Sequence, residues 1–353
     1  MVKRIGYVYG TRKGIGAHTF IDHAWKKAIE NLGFQYSGFS VESSLVDWQK
    51  LLVAPPDLLI VQNFPRGNEY FEIFAEARRL GVYILHVVDQ SKLEHLHDNL
   101  HNYAFADKFF GEIEPSGLGQ ITKKIGHLGY YKIPCAADGS IHYPYDLMET
   151  NVDYDAVFLG SKRTSKPFAF EKIMNAIEMD GSYKTLFSGP FWTKSDFLMY
   201  AAQRLLHKLR LQTFSNSIGS ARLKIPMEKE SELYSRSLVS LNFHERRSLS
   251  EQDHLIVNGR TFKVAASGGV LLTDHVIAMD QYFEEGADFI SFKSADEFWE
   301  RFSELRNNKP LRIKLRQSAS ARAQGEHLQE HRLSELISMI KNNSGKHIQL
   351  VKL

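Results

Sequence analysis

A chain of 353 residues, 43% hydrophobic and 24% charged, is long enough for two globular domains and has an ordinary soluble composition. Its net charge of +3 is too mild to mark a nucleic-acid binder by itself, and its one cysteine, Cys135, excludes an internal disulfide or a thiolate zinc cluster. A reducing compartment, the cytoplasm, fits. No run of about 18 apolar residues is present to span a membrane, and MVKRIGYVYG has too short an apolar run for a signal peptide.

Taken in order, RIGYVYG (4–10) predicts a buried strand. The loop around Gly10, Gly14 and Gly16 follows, then the helix TFIDHAWKKAIENLGF. Phe20, Ile21, Ala24, Trp25, Ala28, Ile29 and Leu32 recur on one face of that helix. Thr19 and Asp22 have capping-box spacing, and Gly33 stops it. PDLLIVQNF (56–64) reads as a strand, NEYFEIFAEARRLG (68–81) as a helix closed by Gly81, and VYILHVVD (82–89) as a strand ending in Asp89. ADKFFGEI (106–113) reads as a short edge strand. The aperiodic stretch 133–155, with its prolines and turn residues, reads as a connection between domains. AVFLGSKRTSKPFAFEKIMNAIEMDG (156–181) then repeats the opening order of strand, polar loop, helix and glycine. Further strands are predicted at KTLFSG (184–189) and RSLVSLNFH (236–244). NGRTFKVAASGGVLLTD (258–274) reads as helix, glycine turn and strand, and 295–308 and 331–343 as amphipathic helices. The expected fold class is α/β: two Rossmann-like domains, 1–150 and 151–353, facing a central cleft, with the last helix returning to the N-terminal domain.

A glycine loop between strand and helix presents N–H groups and a positive dipole end, so Gly14 and Gly16 suit a phosphate or sugar. The same glycines also serve as a plain packing turn. Their spacing matches a nicotinamide fingerprint, but no Tyr-x-x-x-Lys pair occurs mid-chain. Glu30 lies inside the helix, and Glu42 is an uncertain ribose ligand. An NAD(P)-dependent oxidoreductase is therefore disfavoured.

The first loop and helix, KGIGAHTFIDHAWKKAIENLGF, resemble those of family-4-type glycosyltransferases of the GT-B fold. NGRTFKVAASGGVLLTD followed by YFEEGADFISFKSADEFWERFSEL resembles the donor-binding segment of the spore-maturation CgeB-like group. VVDQ, IPCAADGSIHYP and VFLGS match that group in order. The resemblance implies a glycosyltransferase, hexosyl or pentosyl, using a nucleoside-diphosphate sugar, UDP-sugar by default. It leans towards retention of anomeric configuration. The diphosphate would be met by cations and helix N–H groups rather than a metal, and no cofactor is expected. Candidate donor contacts are Gly160, Ser161, Lys162, Arg163 and Lys166 after one strand, Asn242 and His244 after another, and Arg260, Lys263, Gly268, Gly269, Thr273 and Asp274. The exposed basic loop and His244 have ordinary structural readings as well.

One departure stands out. The group carries a glutamate after Arg-x-Phe to hold the donor ribose; here the residue is Lys263, and Leu255 stands where a second glutamate is usual. A lysine cannot accept ribose hydroxyls, so Glu251 or Asp253 would have to substitute, or the donor is an unusual one, or Lys263 would meet phosphate. On the acceptor side, Asp89 is a candidate general base, equally a helix cap, and His18 a candidate contact to the transferred sugar. His86 faces the sheet or the cleft. The acceptor is a hydroxyl on a glycan, a small molecule or a modified DNA base. The segment 193–217 carries an apolar stripe (Phe197, Leu198, Ala201, Leu205, Leu209) and basic Arg204, His207, Lys208 and Arg210. It reads as a helix docked on its own domain, or as a surface for lipid, polymer or nucleic acid. Because the glutamate pair is missing, a silent sugar-nucleotide-binding protein is the rival to an enzyme.

Overall fold

The computed structural model describes residues 2–10, 17–41, 43–62, 69–87, 108–111, 130–162, 168–209, 211–222, 225–244 and 257–343. These residues form two compact units. The first comprises Met1–Thr11, Ile21–Pro134 and Gln329–Leu353, and the second Arg12–Phe20 and Cys135–Leu328. The change from one unit to the other thus falls after Pro134, within the predicted connection but before residue 150. Residues 135–150 belong with the second unit because Ala137 bridges Leu328 and Tyr143 and Tyr145 are held by Ser231 and Ser235.

The first unit is a six-stranded parallel sheet in the order β2-β1-β3-β4-β5-β6. Its strands are β1 (Arg4–Tyr9), β2 (Gln35–Ser40), β3 (Leu58–Val61), β4 (Tyr83–Val87), β5 (Lys108–Gly111) and β6 (Tyr130–Lys132). Helices α1 (Ala17–Asn31), α2 (Leu45–Val53) and α3 (Glu69–Arg79) connect them. β5 is not the expected edge strand, because β6 adds beyond it. β3 is buried along its whole length, as a central parallel strand covered on both faces must be. Gly33 and Gly81 stop their helices in the left-handed conformation, with φ of 79° and 88°. One core cluster joins Trp25, Ala28 and Ile29 of α1 to Ile5, Tyr7 and Leu333, Leu336 and Ile337 of the last helix, α11 (Gln329–Asn343).

The second unit is a five-stranded parallel sheet in the order β11-β10-β9-β7-β8. Its strands are β7 (Tyr154–Leu159), β8 (Thr185–Ser188), β9 (Ser237–Asn242), β10 (Leu271–Asp274) and β11 (Phe289–Phe292). Its helices are α4 (Phe168–Met179), α5 (Lys194–Lys208), α6 (Gln212–Arg222), α7 (Glu230–Ser235), α8 (Gly259–Ala266), α9 (Ala295–Asn307) and α10 (Lys309–Glu326). The two sheets share a pattern. In each, the first strand is flanked by the second on one side and the third on the other. Chain direction across the sheet therefore reverses between β1 and β3, and again between β7 and β9. Ligands of such sheets bind outside the carboxyl ends of the strands at that reversal.

The buried face of α10 sets two arginines, Arg312 and Arg316, beside apolar Leu315, Ala319 and Ala323. Arg312 forks onto Glu149 and the carbonyl of Leu305. Arg316 is fully buried and donates to the carbonyls of Ser235, Gly268 and Ser237. Burial pushes the Arg316 guanidinium down to about 10, against the pull of Glu149, so it stays charged at neutral pH. Arg316→Met would leave three carbonyls unpaired. The expected loss is about 3–5 kcal/mol in the unfolding free energy read by denaturant titration at neutral pH; a loss under about 1 kcal/mol would mean the fork is not structural.

Candidate functional site

β7 and β9 are neighbours, yet the helix after each runs away from the other, so their carboxyl ends diverge. Arg260, at the start of α8, fills that divergence. Its Nε donates to the Leu159 carbonyl at the end of β7 (2.8 Å), and its Nη1 to Asn242 Oδ1 at the end of β9 (2.8 Å). The guanidinium lies 4.4 Å from the Phe158 ring centre. Both acceptors are uncharged, so these bonds place the guanidinium without cancelling its charge. α8 starts there because Asn258 caps it, its Oδ1 accepting from Arg260 N at 3.1 Å.

Gly160 follows β7, and a Cβ on it would collide with Arg260 Nη2. Gly189 follows β8 at φ 141°, and a Cβ there would collide with the Gly160 carbonyl. The same carbonyl accepts from Trp192 Nε1 at 2.7 Å. Ser161 and Lys162 continue the loop half-buried. Lys162 N donates to the Pro190 carbonyl, and its ammonium sits 5.0 Å from the Trp192 ring centre and 3.9 Å from Glu178. The requirement for glycine at 160 is thus set by a neighbouring guanidinium.

Beneath this edge lies a buried polar layer. Asn242 Nδ2 donates to Thr261 Oγ1 and Thr273 Oγ1, while its Oδ1 also accepts from Asn258 Nδ2. His244 donates its backbone N–H to Asp274 Oδ1 and sets Nδ1 2.8 Å from the same oxygen. That contact selects the tautomer protonated on Nδ1. Its Nε2 is buried without a hydrogen-bond partner among the described residues. Asn242, His244, Thr273 and Asp274 are all buried; they brace the edge from below.

The structure corrects the expectation for Gly268 and Gly269. They turn the chain at the far end of α8, where it enters β10, so they lie at the opposite edge of the sheet from Asn242. Gly268 has φ 72° and faces Leu147, and Gly269 faces Val264. Their smallness serves packing. Gly14, Gly16, Asp89, Arg163, Lys166, Glu251, Asp253 and Leu255 lie outside the described residues, and His18 falls on the first turn of α1. His86 is buried on β4.

Lys263, one turn after Arg260, is paired with a carboxylate from elsewhere. Its Nζ is 3.2 Å from Glu230 Oε2, which also receives His142 Nε2 at 2.9 Å. The His142 ring accepts Asp138 N at Nδ1, so Nε2 carries the proton. Burial holds His142 below its ordinary range. Burial opposes ionisation of Glu230 too, but Lys263 and His142 outweigh it and hold the carboxyl at about 2. A glutamate is therefore present beside position 263, displaced onto α7. No spacing argument within 236–274 could find it.

In the first unit, Asp22 departs from its expected capping role. α1 starts at Ala17, so Thr19 is inside the helix rather than before it. The Asp22 carboxylate instead accepts the Tyr7 hydroxyl at 2.9 Å and the Gly10 N–H, just past the end of β1. Burial raises its pKa to about 7, against those two bonds. Among the described residues no group of three or more His, Cys, Asp or Glu side chains is placed to hold a metal ion.

Residues 191–338 match a family model described as glycosyl transferase-like. A search of curated proteins finds no match. Among solved structures, the chain is similar to an α-glucosyltransferase in complex with UDP and DNA containing a HMU base, at 14% identity over 97% of this chain and 100% of that one, TM-score 0.66. It is also similar to sucrose-phosphate synthase from Thermosynechococcus elongatus, at 13% identity over 97% and 99%, TM-score 0.58. A third is Anabaena HepE in complex with UDP and glucose, at 12% identity over 96% and 99%, TM-score 0.57. These likenesses establish an α/β fold of two Rossmann-like units, that of GT-B glycosyltransferases, with a glycosyltransferase-like segment in the C-terminal part.

Two measurements check the geometry. Lys263→Glu sets two carboxylates together, at positions 230 and 263. It should lower stability by about 3–5 kcal/mol, and Glu230→Gln in the same chain should recover most of that; strictly additive losses would mean the two side chains do not interact. For Asp22, the raised pKa means the folded state keeps a proton that the unfolded chain releases between pH of about 4 and 7. That stabilisation is complete below pH ~4 and is lost as pH rises through ~7. Relative to Asp22→Asn, the wild type should therefore lose roughly 2 kcal/mol between pH 5 and 8 in denaturant titrations. Parallel curves would place the carboxyl in water.

Proposed function

We infer that the chain is a glycosyltransferase that moves a sugar from a nucleoside-diphosphate donor, a UDP-sugar, to a hydroxyl acceptor. The observation that carries this reading is a coincidence of place. The stretch matching the glycosyl transferase-like model contains Arg260 and Asn242, the residues that occupy the strand reversal between β7 and β9. A sugar leaves its donor as the diphosphate takes up negative charge, and pre-placed cations lower that barrier. Arg260 supplies a charge fixed by two neutral acceptors, and Lys162 a second on the adjoining loop. In this reading cationic side chains stand where a metal ion would otherwise meet the diphosphate.

Arg260 also binds two strand ends together, so its loss would weaken the fold as well as the donor site. Lys162 is the cleaner probe of donor binding. The neighbour solved with UDP and DNA containing a HMU base supports including hydroxymethylated duplex DNA among the acceptors tried, beside glycans and small hydroxyl compounds. A silent binding protein is the second reading, favoured by the Lys263–Glu230 pair where a ribose-binding glutamate is usual.

A panel of nucleoside diphosphates and UDP-sugars tests both. A ligand at about 100 times its Kd stabilises by about 2.7 kcal/mol, enough to raise the melting temperature by several degrees. UDP should do so, Lys162→Ala should weaken the shift, and UDP-glucose incubated with the protein should release UDP. A shift without UDP release in any acceptor mixture selects the silent reading. No shift with any nucleotide overturns both.

A further inference from the structure

Helix α5 is built inside out. A helix on a globular unit normally buries its apolar stripe and shows its polar side. α5 buries Asp196 and Gln203. The Asp196 carboxylate accepts Phe191 N, and the Gln203 carbonyl accepts the Ser215 hydroxyl of α6. What it shows to solvent is apolar: Leu198 is 74% exposed, Leu205 58% and Leu209, its C-cap, 59%. At 100° per residue these three fall within about 40° of one another, an unbroken stripe. Phe214, on α6, is 65% exposed. The stripe legible in the sequence is real, but it is not docked on its own unit.

The charges beside it are of one sign. Arg204 and Lys208 are exposed on the flank of the stripe and Lys194 at its start, while Asp196, the acid of the segment 193–222, is buried. This composition discriminates among occupants. A second copy packed face to face would set Arg204 and Lys208 near their own images, with no exposed acid from the hairpin to meet them. A nucleic acid would meet the cations, yet it would dehydrate a stripe of leucines that offers no hydrogen bond to a phosphate. An anionic lipid bilayer satisfies both features at once. Leucine and phenylalanine enter the boundary between headgroups and acyl chains, and lysine and arginine meet lipid phosphates.

We propose that the α5–α6 hairpin is a docking surface for an anionic lipid bilayer, with Leu198, Leu205, Leu209 and Phe214 entering the interface and Lys194, Arg204 and Lys208 contacting phosphates. The proposal concerns attachment and is independent of the donor reading.

The test is co-sedimentation of the full chain with phosphatidylcholine vesicles, with and without a quarter of phosphatidylglycerol, at low and high salt. The wild type should pellet with the anionic vesicles, more weakly with neutral ones, and be partly released by salt. Leu198→Glu with Leu205→Glu should abolish pelleting, and Arg204→Glu with Lys208→Glu should cut anionic binding about tenfold or more. Circular dichroism and thermal melting check folding. Should the glutamate pair unfold the chain, Leu198→Ser with Leu205→Ser replaces it and should still weaken pelleting. Three results overturn the proposal: no pelleting with either vesicle, equal pelleting of wild type and both leucine variants, or a dimer in light scattering that Leu198→Ser with Leu205→Ser dissociates while vesicles do not bind. Retention on duplex DNA, with no retention on vesicles, overturns it in favour of nucleic acid.

Discussion

Parallel strands whose crossovers leave in opposite directions cannot stay closed at their carboxyl ends. The backbone carbonyls there lose the neighbours that a continuous sheet would supply, and a buried carbonyl without a partner is costly. At the β7–β9 reversal the protein meets this constraint with one side chain. Arg260 takes the Leu159 carbonyl with one nitrogen and the Asn242 amide oxygen with another. Much of the surrounding sequence then follows. Gly160 must lack a side chain to admit the guanidinium, Gly189 must lack one to admit Gly160, and Trp192 donates to the Gly160 carbonyl. Asn258 begins α8 at the place from which an arginine two residues on can reach both strands. A neutral cross-link would hold the strands as well. A guanidinium holds them and leaves a positive charge at the edge where open α/β sheets bind ligands.

The other reversal, between β1 and β3, is built from opposite chemistry. There Asp22 reaches back to Tyr7 and to the N–H of Gly10, at the entrance of the first glycine loop. One topology, used twice in a chain, thus carries a fixed cation at one strand reversal and a carboxyl whose charge depends on pH near neutrality at the other. Arginine keeps its charge under any burial met here, whereas a carboxyl short of water gives its charge up, which is why the two edges differ in pH response.

How much of this was legible depended on whether a residue's role was apolar and local. The strands RIGYVYG, AVFLG and RSLVSLNFH and the helices closed by Gly33 and Gly81 were readable, because a buried parallel strand or an amphipathic helix writes its period directly into the chain. β2, with Gly38 and serines on a sheet edge, has no such pattern, and α10 interrupts its apolar face of Leu315, Ala319 and Ala323 with buried Arg312 and Arg316. At the site, the glycines after β7 and the Arg260 position were readable as a group. What each does was not: the partner of Gly160 is one hundred residues away in sequence. Gly268 and Gly269 show the converse error, since a glycine pair after a helix has the same look whether it faces a ligand or Leu147. Glu230 was invisible because charge pairing across a fold leaves no periodic trace, and a lysine in place of a glutamate at 263 makes sense only beside it.

The same distinction bears on how the positive charge of the chain should be read. Net charge counts Arg312 and Arg316 as if they faced solvent, yet both are buried against Glu149 and backbone carbonyls. Cations used as forks inside a fold add nothing to the field felt by an approaching polyanion beyond a screened remainder. What such a partner meets is the cations left outside, and at α5 those stand beside leucines rather than beside hydrogen-bonding groups. Composition alone therefore misstates the surface in both directions: it credits the interior arginines to it, and it assigns to the core a stripe of leucines that the folded chain turns outward.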